Sequence, residues 1–310
     1  MGGKDMSKKV NILMSTYNGE KYICEQMDSL LAQDYENLEI HIRDDGSVDN
    51  TWNILQKYRR KFAEKVFLYK GNNVGYKRSF QWLMNHCDTA DFYAFCDQDD
   101  YWYPEKISRA VNCLSGKDMK KPLLYMCNFF WCDENLSREH CNDAHLKYHS
   151  LEKYITLGDR NEFGFTQVFN KTALEKVRES RAFSVCSHDE IIYMYCKCNG
   201  DVIWDGMVCA DYRRHGNNAS RHELVGGTYI THLFWRVKTF LIESHRDEIY
   251  EKMNVFYRCF KSDLKPIERR IYKLYLGKKG RLRKMMYKGR YRDSWFDEVS
   301  IRILFLLGKV

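Results

Sequence analysis

The sequence predicts an α/β fold, a mostly parallel sheet flanked by helices, followed by an α-helical appendage. Three observations carry this. Strand-like and helix-like patterns alternate through roughly the first hundred residues, the connections between them are short, and polar, acid-rich clusters follow the strand-like runs. Val10–Ser15 is a short apolar run, and Glu20–Ala32 sets Tyr22, Ile23, Met27, Leu30 and Leu31 on one helical face. Leu38–Ile42 alternates as a strand, and Asp49 or Asn50 caps a helix to about Arg60. Lys65–Tyr69 is a third strand, Gly75–His86 a third helix and Asp91–Cys96 a fourth strand.

Further on, Leu123–Trp131 reads as a central strand, Phe163–Phe169 as another, Lys171–Glu179 as a helix, and Ser187–Cys198 as a helix capped by Ser187. Val202–Trp204 and Met207–Tyr212 read as a hairpin turning at Asp205-Gly206. Amphipathic helical segments follow at 228–242, 246–260, 264–276 and 294–307. The expected division is a catalytic domain over 1–225 and a helical basic region over 226–310.

The 310 residues are 44% hydrophobic and 15% aromatic, enough for a packed core, and 3 prolines with 18 glycines leave no room for a low-complexity linker. No run reaches the length of a membrane span, and no secretory signal pattern stands near residue 1, so a cytoplasmic location is expected. The 12 cysteines are scattered without a CxxC pair, which suits ordinary buried thiols better than zinc. The net charge of +8 is uneven. Lys261–Arg292 holds 13 Lys or Arg against Asp263 and Glu268, whereas residues 1–260 sum to −2. A nearly neutral body thus carries a basic tail, which points to an anionic surface touched by the tail alone.

In parallel α/β sheets, ligands bind beyond the carboxyl ends of the strands. Three polar clusters fall there: Ser15-Thr-Tyr-Asn-Gly19, Asp44-Asp-Gly-Ser47 and Asp97-Gln-Asp-Asp100. Three carboxylates in four residues repel one another unless a cation intervenes, and Asp97 and Asp99 are spaced to address one hard divalent ion, Mg²⁺ or Mn²⁺. Asp44 and Asp45 are either turn formers or acceptors for a pyrimidine imide N–H beside Ser15 and Tyr17. Neither a Walker A sequence nor GxGxxG occurs, so a metal-bridged nucleotide-sugar fits better than a phosphoryl donor or a dinucleotide.

The segments STYNGEKYICEQMDSLLAQDYENLEIHIRDDGSVDNT, NNVGYKRSF, FCDQDDYWYPEKI, HDE and YRRHGNNAS together resemble family 2 inverting glycosyltransferases of the GT-A fold, in their bacterial rhamnosyltransferase-like branch. The resemblance covers about 220 residues. It implies a dTDP- or UDP-linked sugar donor, with Ser15, Tyr17, Asp44 and Asp45 around the nucleoside, Asp97 and Asp99 in the metal motif, and Asp100 beside the donor sugar. It makes Asp189 the candidate base, with Glu190 the alternative and helix capping the bland reading of Asp189. His215 resembles a position near the metal, and Arg78 or Lys77, with Arg213 or Arg214, are candidates to neutralise diphosphate. Glu190-Ile191 and Gln167-Val168 depart from the branch pattern on the acceptor side. The absence of a QxxRW motif favours single-sugar transfer, to a glycan or lipid-linked acceptor.

The basic segment interleaves charge with apolar residues, as suits a peripheral position on an anionic membrane face; packing of its apolar faces on the body is the alternative. A polyanion-binding module leaves the acidic clusters unexplained, so no nucleic-acid partner is expected. A nucleotidyltransferase, the other rival, would show a Gly-rich basic loop, which Ser15–Lys21 is not.

Overall fold

The computed structural model describes residues 7–142, 150–156, 162–216, 243–277, 280–292 and 295–308. The chain forms two compact units. The first holds residues up to Leu146 and Asn161–Gly216, and the second holds Lys147–Arg160 and Asn217–Val310. The expected boundary at 225/226 lies outside the described residues.

The first unit is built on one nine-stranded sheet of order β3-β2-β1-β4-β8-β6-β9-β5, with β7 paired to β6. The strands are β1 (Val10–Thr16), β2 (Leu38–Asp44), β3 (Val66–Lys70), β4 (Phe92–Cys96), β5 (Tyr101–Trp102), β6 (Leu123–Cys132), β7 (Arg138–Cys141), β8 (Gln167–Asn170) and β9 (Asp201–Arg213). β3, β2, β1 and β4 run parallel, as do β6 and β9. β8 lies antiparallel between β4 and β6, and β5 lies antiparallel to β9. Helices α1 (Ile23–Leu31), α2 (Thr51–Lys61), α3 (Tyr76–His86) and α4 (Lys106–Ser115) complete the βα repeats, and α6 (Lys171–Val177) and α7 (His188–Asn199) follow β8. Covering a parallel sheet on both faces makes continuous apolar strands, and Val10, Ile12, Leu13 and Met14 of β1 are all fully buried.

Two sequence expectations are corrected. Phe163–Phe169 is not one strand. Thr166 folds back on Phe163, its backbone N–H and hydroxyl both donating to the Phe163 carbonyl at 3.0 and 2.7 Å, so a single helical turn (Gly164–Thr166) precedes β8. The 202–212 region is not a hairpin but a single strand, β9. Its register against β6 passes from Met126↔Trp204 to Asn128↔Val208, so Asp205-Gly206 sits in a bulge. Asp205 is held there by Arg109 at 2.8 Å and the Tyr125 hydroxyl at 2.8 Å, which a solvent-facing turn would forfeit.

The second unit contains α5 (Leu151–Thr156) and helices Glu243–Phe260, Pro266–Leu276, Arg281–Met285 and Trp295–Leu307. The segment expected as a helix at 228–242 lies outside the described residues. Met253, Phe256, Ile271, Tyr272 and Tyr275 form part of its interior, with Phe256 stacked on Tyr272 at 5.8 Å. Among the described residues no helix is long and apolar enough to cross a membrane.

At the α7–β9 junction two backbone segments approach closely. Pro122 O accepts from Asp201 N at 3.0 Å, and a Cβ on Gly200 would overlap that same carbonyl oxygen. Gly200→Ala is expected to destabilise by about 1–3 kcal/mol, the usual cost of overpacking. An unchanged midpoint in equilibrium urea unfolding would contradict this packing.

Candidate active site

The parallel register aligns the ends of three strands. Thr16 of β1 pairs with Asp44 of β2, and Met14 with Cys96 of β4, so the loops opening with Tyr17, Asp45 and Asp97 leave from one edge. The three clusters read from the sequence meet there.

On the nucleoside side, both aspartates are buried and occupied by protein donors. Asp44 accepts from Thr16 Oγ1 at 3.2 Å, Ser47 Oγ at 2.5 Å and Ser47 N at 3.1 Å. Asp45 pairs with buried Arg43 and accepts from Val74 N at 3.0 Å and Gly75 N at 2.8 Å. These bonds fix the 46–47 turn and the 72–75 loop that lead into α2 and α3. Ser15 Oγ donates to Ser79 Oγ at 2.6 Å, and Arg43 reaches the same hydroxyl at 3.0 Å. Tyr17 and Arg78 are exposed at the rim. Lys77 donates to Val185 O at 3.1 Å, so its ammonium is already engaged.

Around the end of β4 the carboxylates crowd. Burial first, then Asp99 and Asp189, push the Asp97 carboxyl up to about 8. Asp100 has no exposed surface. Burial and its acidic neighbours hold its carboxyl well above the usual range; Oδ1 accepts from Arg213 N at 3.1 Å, and Oδ2 has no partner among the described residues. Asp100 thus ties the motif to β9, where the resemblance had set it beside the donor sugar. Asp99 Oδ2 meets His215 Nε2 at 2.8 Å, and the His215 ring lies 4.8 Å from that of Tyr22.

Asp189 faces this cluster from the first turn of α7. Its Oδ1 takes the Ser187 hydroxyl and Glu190 N at 2.9 Å. Burial, then Glu190, raises its carboxyl to about 6. Glu190 closes the capping box by accepting from Ser187 N at 2.9 Å. Of the two acids considered for the base, Glu190 therefore serves the helix end, while Asp189 Oδ2 takes no hydrogen bond among the described residues. Gln167 Nε2 donates to Asp189 O at 3.3 Å, so the Gln167-Val168 departure touches the turn that Glu190-Ile191 itself occupies, and a Cβ on Gly164 would press on His188 Nε2 beside it.

Two residues were missed in the sequence, Gln98 and Lys106, and two arginines considered for diphosphate are engaged within the protein. Gln98 clamps the Tyr17 backbone, accepting from Tyr17 N at 2.9 Å and donating to Tyr17 O at 3.1 Å, and only a glycine at position 19 leaves it room. Lys106 is fully buried, donating to Phe165 O at 2.7 Å above the Trp102 ring at 4.1 Å. Its place on the apolar stripe of α4, one turn before Ala110, was the available signal. Arg213, considered for diphosphate, spends its guanidinium on Asp99 O at 2.8 Å, Glu134 O at 2.6 Å and the Glu25 carboxylate. Arg214 likewise pairs with Glu139.

Among the described residues no group of three or more His, Cys, Asp or Glu side chains is placed to hold a metal ion by itself. Magnesium-like ions bound with phosphates normally use one or two carboxylates and leave the remaining positions to phosphate oxygens and water. The crowded Asp97 and Asp99, with His215 on Asp99, fit that open pattern.

This is the architecture and site chemistry of a sugar transferase. Residues 11–178 match the family described as Glycosyl transferase family 2, and the chain belongs to it. The chain is 29% identical over 217 residues to the dTDP-rhamnosyl transferase RfbG of Shigella flexneri, a match spanning 66% of this chain and 72% of that protein. It is 31% identical over 158 residues to an uncharacterized glycosyltransferase of Rickettsia prowazekii, spanning 49% of this chain and 46% of that one. Among solved structures, S. aureus TarS 1-349 in complex with UDP shares the fold at TM-score 0.60 and 16% identity, over 90% of this chain and 72% of TarS. The mannosyltransferase PcManGT of Pyrobaculum calidifontis, in complex with GDP-Man and Mn²⁺, does so at 0.54 and 13%, over 98% and 86%.

His188 supplies a test of how dry this region is. Its ring stacks on Phe80 at 3.7 Å and meets Phe95 edge-on at 4.4 Å, with neither nitrogen partnered among the described residues. Burial lowers its pKa to about 3. Below the unfolded value of about 6.5 the unfolded chain binds a proton that the native ring refuses, so this contribution to stability is complete above that value and is lost as pH falls toward 3. Between pH 7 and pH 5 the native protein is expected to lose about 2 kcal/mol more stability than His188→Phe. Parallel urea titrations at the two pH values check this, and equal losses would show a hydrated His188.

Proposed function

We propose that the chain transfers a single hexose or deoxyhexose, rhamnose favoured, from a dTDP- or UDP-linked donor to a glycan or lipid-linked acceptor of cell-surface polysaccharide. Transfer proceeds with inversion and depends on Mg²⁺ or Mn²⁺. The observation that carries the reading is the arrangement across the rim. Asp189, whose Oδ2 takes no hydrogen bond among the described residues, faces the Asp97 cluster from α7 while Glu190 is held in the helix cap. The rhamnosyl transferase relative supports the donor class.

In the Mechanism, Asp189 accepts the proton of the acceptor hydroxyl as that oxygen attacks the anomeric carbon, and one in-line displacement inverts the centre. Burial raises the basicity of the Asp189 carboxylate, which suits proton removal from an alcohol. Asp97 and Asp99, with His215, would hold the divalent ion, which when bound supplies Lewis-acid stabilisation of the departing diphosphate. Arg78 lies exposed near the same edge and would add positive charge. Tyr17 is free to cover the base, its backbone fixed by Gln98. Work at the inner face of the membrane, through the second unit, belongs to the same proposal.

A thermal-shift screen of nucleotide diphosphate sugars, run with and without Mn²⁺, is expected to show stabilisation by a dTDP- or UDP-sugar only when metal is present. Stabilisation by no such donor would sink the proposal. Asp189→Asn should lower turnover by two orders of magnitude or more, as loss of a general base does, yet shift thermally with donor like the native protein. Near-native turnover in this variant would move the base elsewhere.

A further inference from the structure

We infer that the second unit presents an anionic-bilayer docking surface made by two adjoining stretches, Arg281–Arg290 and the outer face of helix Trp295–Leu307. This specifies the surface behind the peripheral location proposed above, and it stands on the second unit's own residues.

Helix Trp295–Leu307 is apolar on two sides. One side packs inward through Ile301 and Phe305, the latter 4.9 Å from the Tyr291 ring. The opposite side carries Ile303, Leu306 and Leu307, all exposed, and Trp295 is 77% exposed at the helix start. A helix apolar all round is normally buried, so the outer face here lacks the cover its composition calls for. Its few charges do not interrupt that face. Glu298 and Arg302 pair with each other at 2.6 Å, and Glu298 also caps Tyr291 N and Arg292 N at 2.7 Å.

The neighbouring stretch alternates cation and apolar side chain at the surface. Arg281, Arg283, Lys288 and Arg290 are exposed, and so are Leu282 and Met286 among them, the methionine at 72%. Lys284 is the exception that fixes the orientation. It turns inward between Tyr275 at 5.6 Å and Phe305 at 5.5 Å, so its neighbours in sequence must face out. The two stretches meet, because the Arg281 guanidinium lies over Gly308 at the end of the long helix. Cations and apolar side chains thus share one continuous surface.

Charge complementarity selects the occupant. Arg281, Arg283, Lys288 and Arg290 are exposed and no carboxylate occurs within 281–290, so this surface calls for an anionic partner. A nucleic acid satisfies the cations but offers no apolar phase for Leu282, Leu306 and Leu307. An anionic lipid leaflet takes both, with headgroups on the guanidinium and ammonium groups and the aliphatic side chains at the acyl boundary.

The test is co-sedimentation of the full chain with phosphatidylcholine vesicles, with and without phosphatidylglycerol. The native chain is expected to bind only the anionic vesicles. Replacing Arg281, Arg283 and Lys288 together by Gln should weaken binding about 100-fold at low salt, from roughly a factor of five per cation. Replacing Leu282, Leu306 and Leu307 together by Ser should leave low-salt attraction but abolish the binding that survives at high salt. Failure of the native chain to bind, or native binding by the Ser variant with full competition from single-stranded RNA, overturns the inference. The donor thermal shift, measured on the same proteins, separates the two readings. A native chain that binds anionic vesicles but no donor keeps this surface and sinks the transferase; one that binds donor but no vesicle does the reverse.

Discussion

The catalytic unit is organised around an electrostatic conflict: Asp97, Asp99, Asp100 and Asp189 are gathered in a partly dehydrated place at the end of β4. Two unit charges about 4 Å apart at an effective dielectric near 20 repel by about 4 kcal/mol, so the group cannot be fully ionised without nearby positive charge. Raised carboxyl pKa values at Asp97, Asp100 and Asp189 express that conflict, with burial as the first cause in each. The fold holds the carboxylates in place through two basic side chains. Arg213 binds the motif's backbone at Asp99 and, through its own N–H, the Asp100 carboxylate. Lys106 sits deeper, with a carbonyl and aromatic faces for company, and its charge lowers the Asp97 and Asp100 carboxyls.

Several other features follow from keeping that cluster assembled. β9 must run unbroken to bring Arg213 to the motif, which is why the Asp205-Gly206 pair is absorbed as a bulge. α7 must begin close to the sheet to point Asp189 at Asp97, and the absence of a side chain at Gly164 and Gly200 permits approaches at both ends of that path. Gln98 joins the Tyr17 loop to the acidic motif by two hydrogen bonds, so displacement of one loop is felt by the other.

Much of this was legible in the sequence, and the parts that were not share a cause. The β1–β4 repeats and the rim clusters could be read because periodicity of 2 or 3.6 and strand-end position are local properties of a few residues. Asp205-Gly206 misled because a turn signal cannot tell whether a strand partner lies beside it, and Tyr125 and Arg109 lie far off in sequence. Phe163–Phe169 misled because apolar composition alone does not distinguish a strand from a buried helical turn closed by Thr166. The resemblance put Asp189 ahead of Glu190, but that Glu190 serves the helix end could be read only from the capping geometry at Ser187. Asp44 and Asp45 could be read as ligand acceptors or as turn formers, and the structure gives each three protein donors. Each carboxylate has about four lone-pair sites, so a base N–H would have to use the last one or displace a loop contact.

Those satisfied aspartates bear on how an anionic donor can be held. Lys77, Arg213 and Arg214, the cations a sequence reading would offer to a diphosphate, are each committed to a carbonyl or a carboxylate within the protein. Arg78 remains exposed at the rim, but one exposed guanidinium does not offset a diphosphate approaching clustered carboxylates. On the proposed function, the attraction comes from a divalent ion that accompanies the donor. The excess of positive charge in the sequence falls in 261–292, within the second unit. On that proposal the carboxylates turn away bare phosphates and admit those delivered with a divalent metal, which is selectivity gained by repulsion.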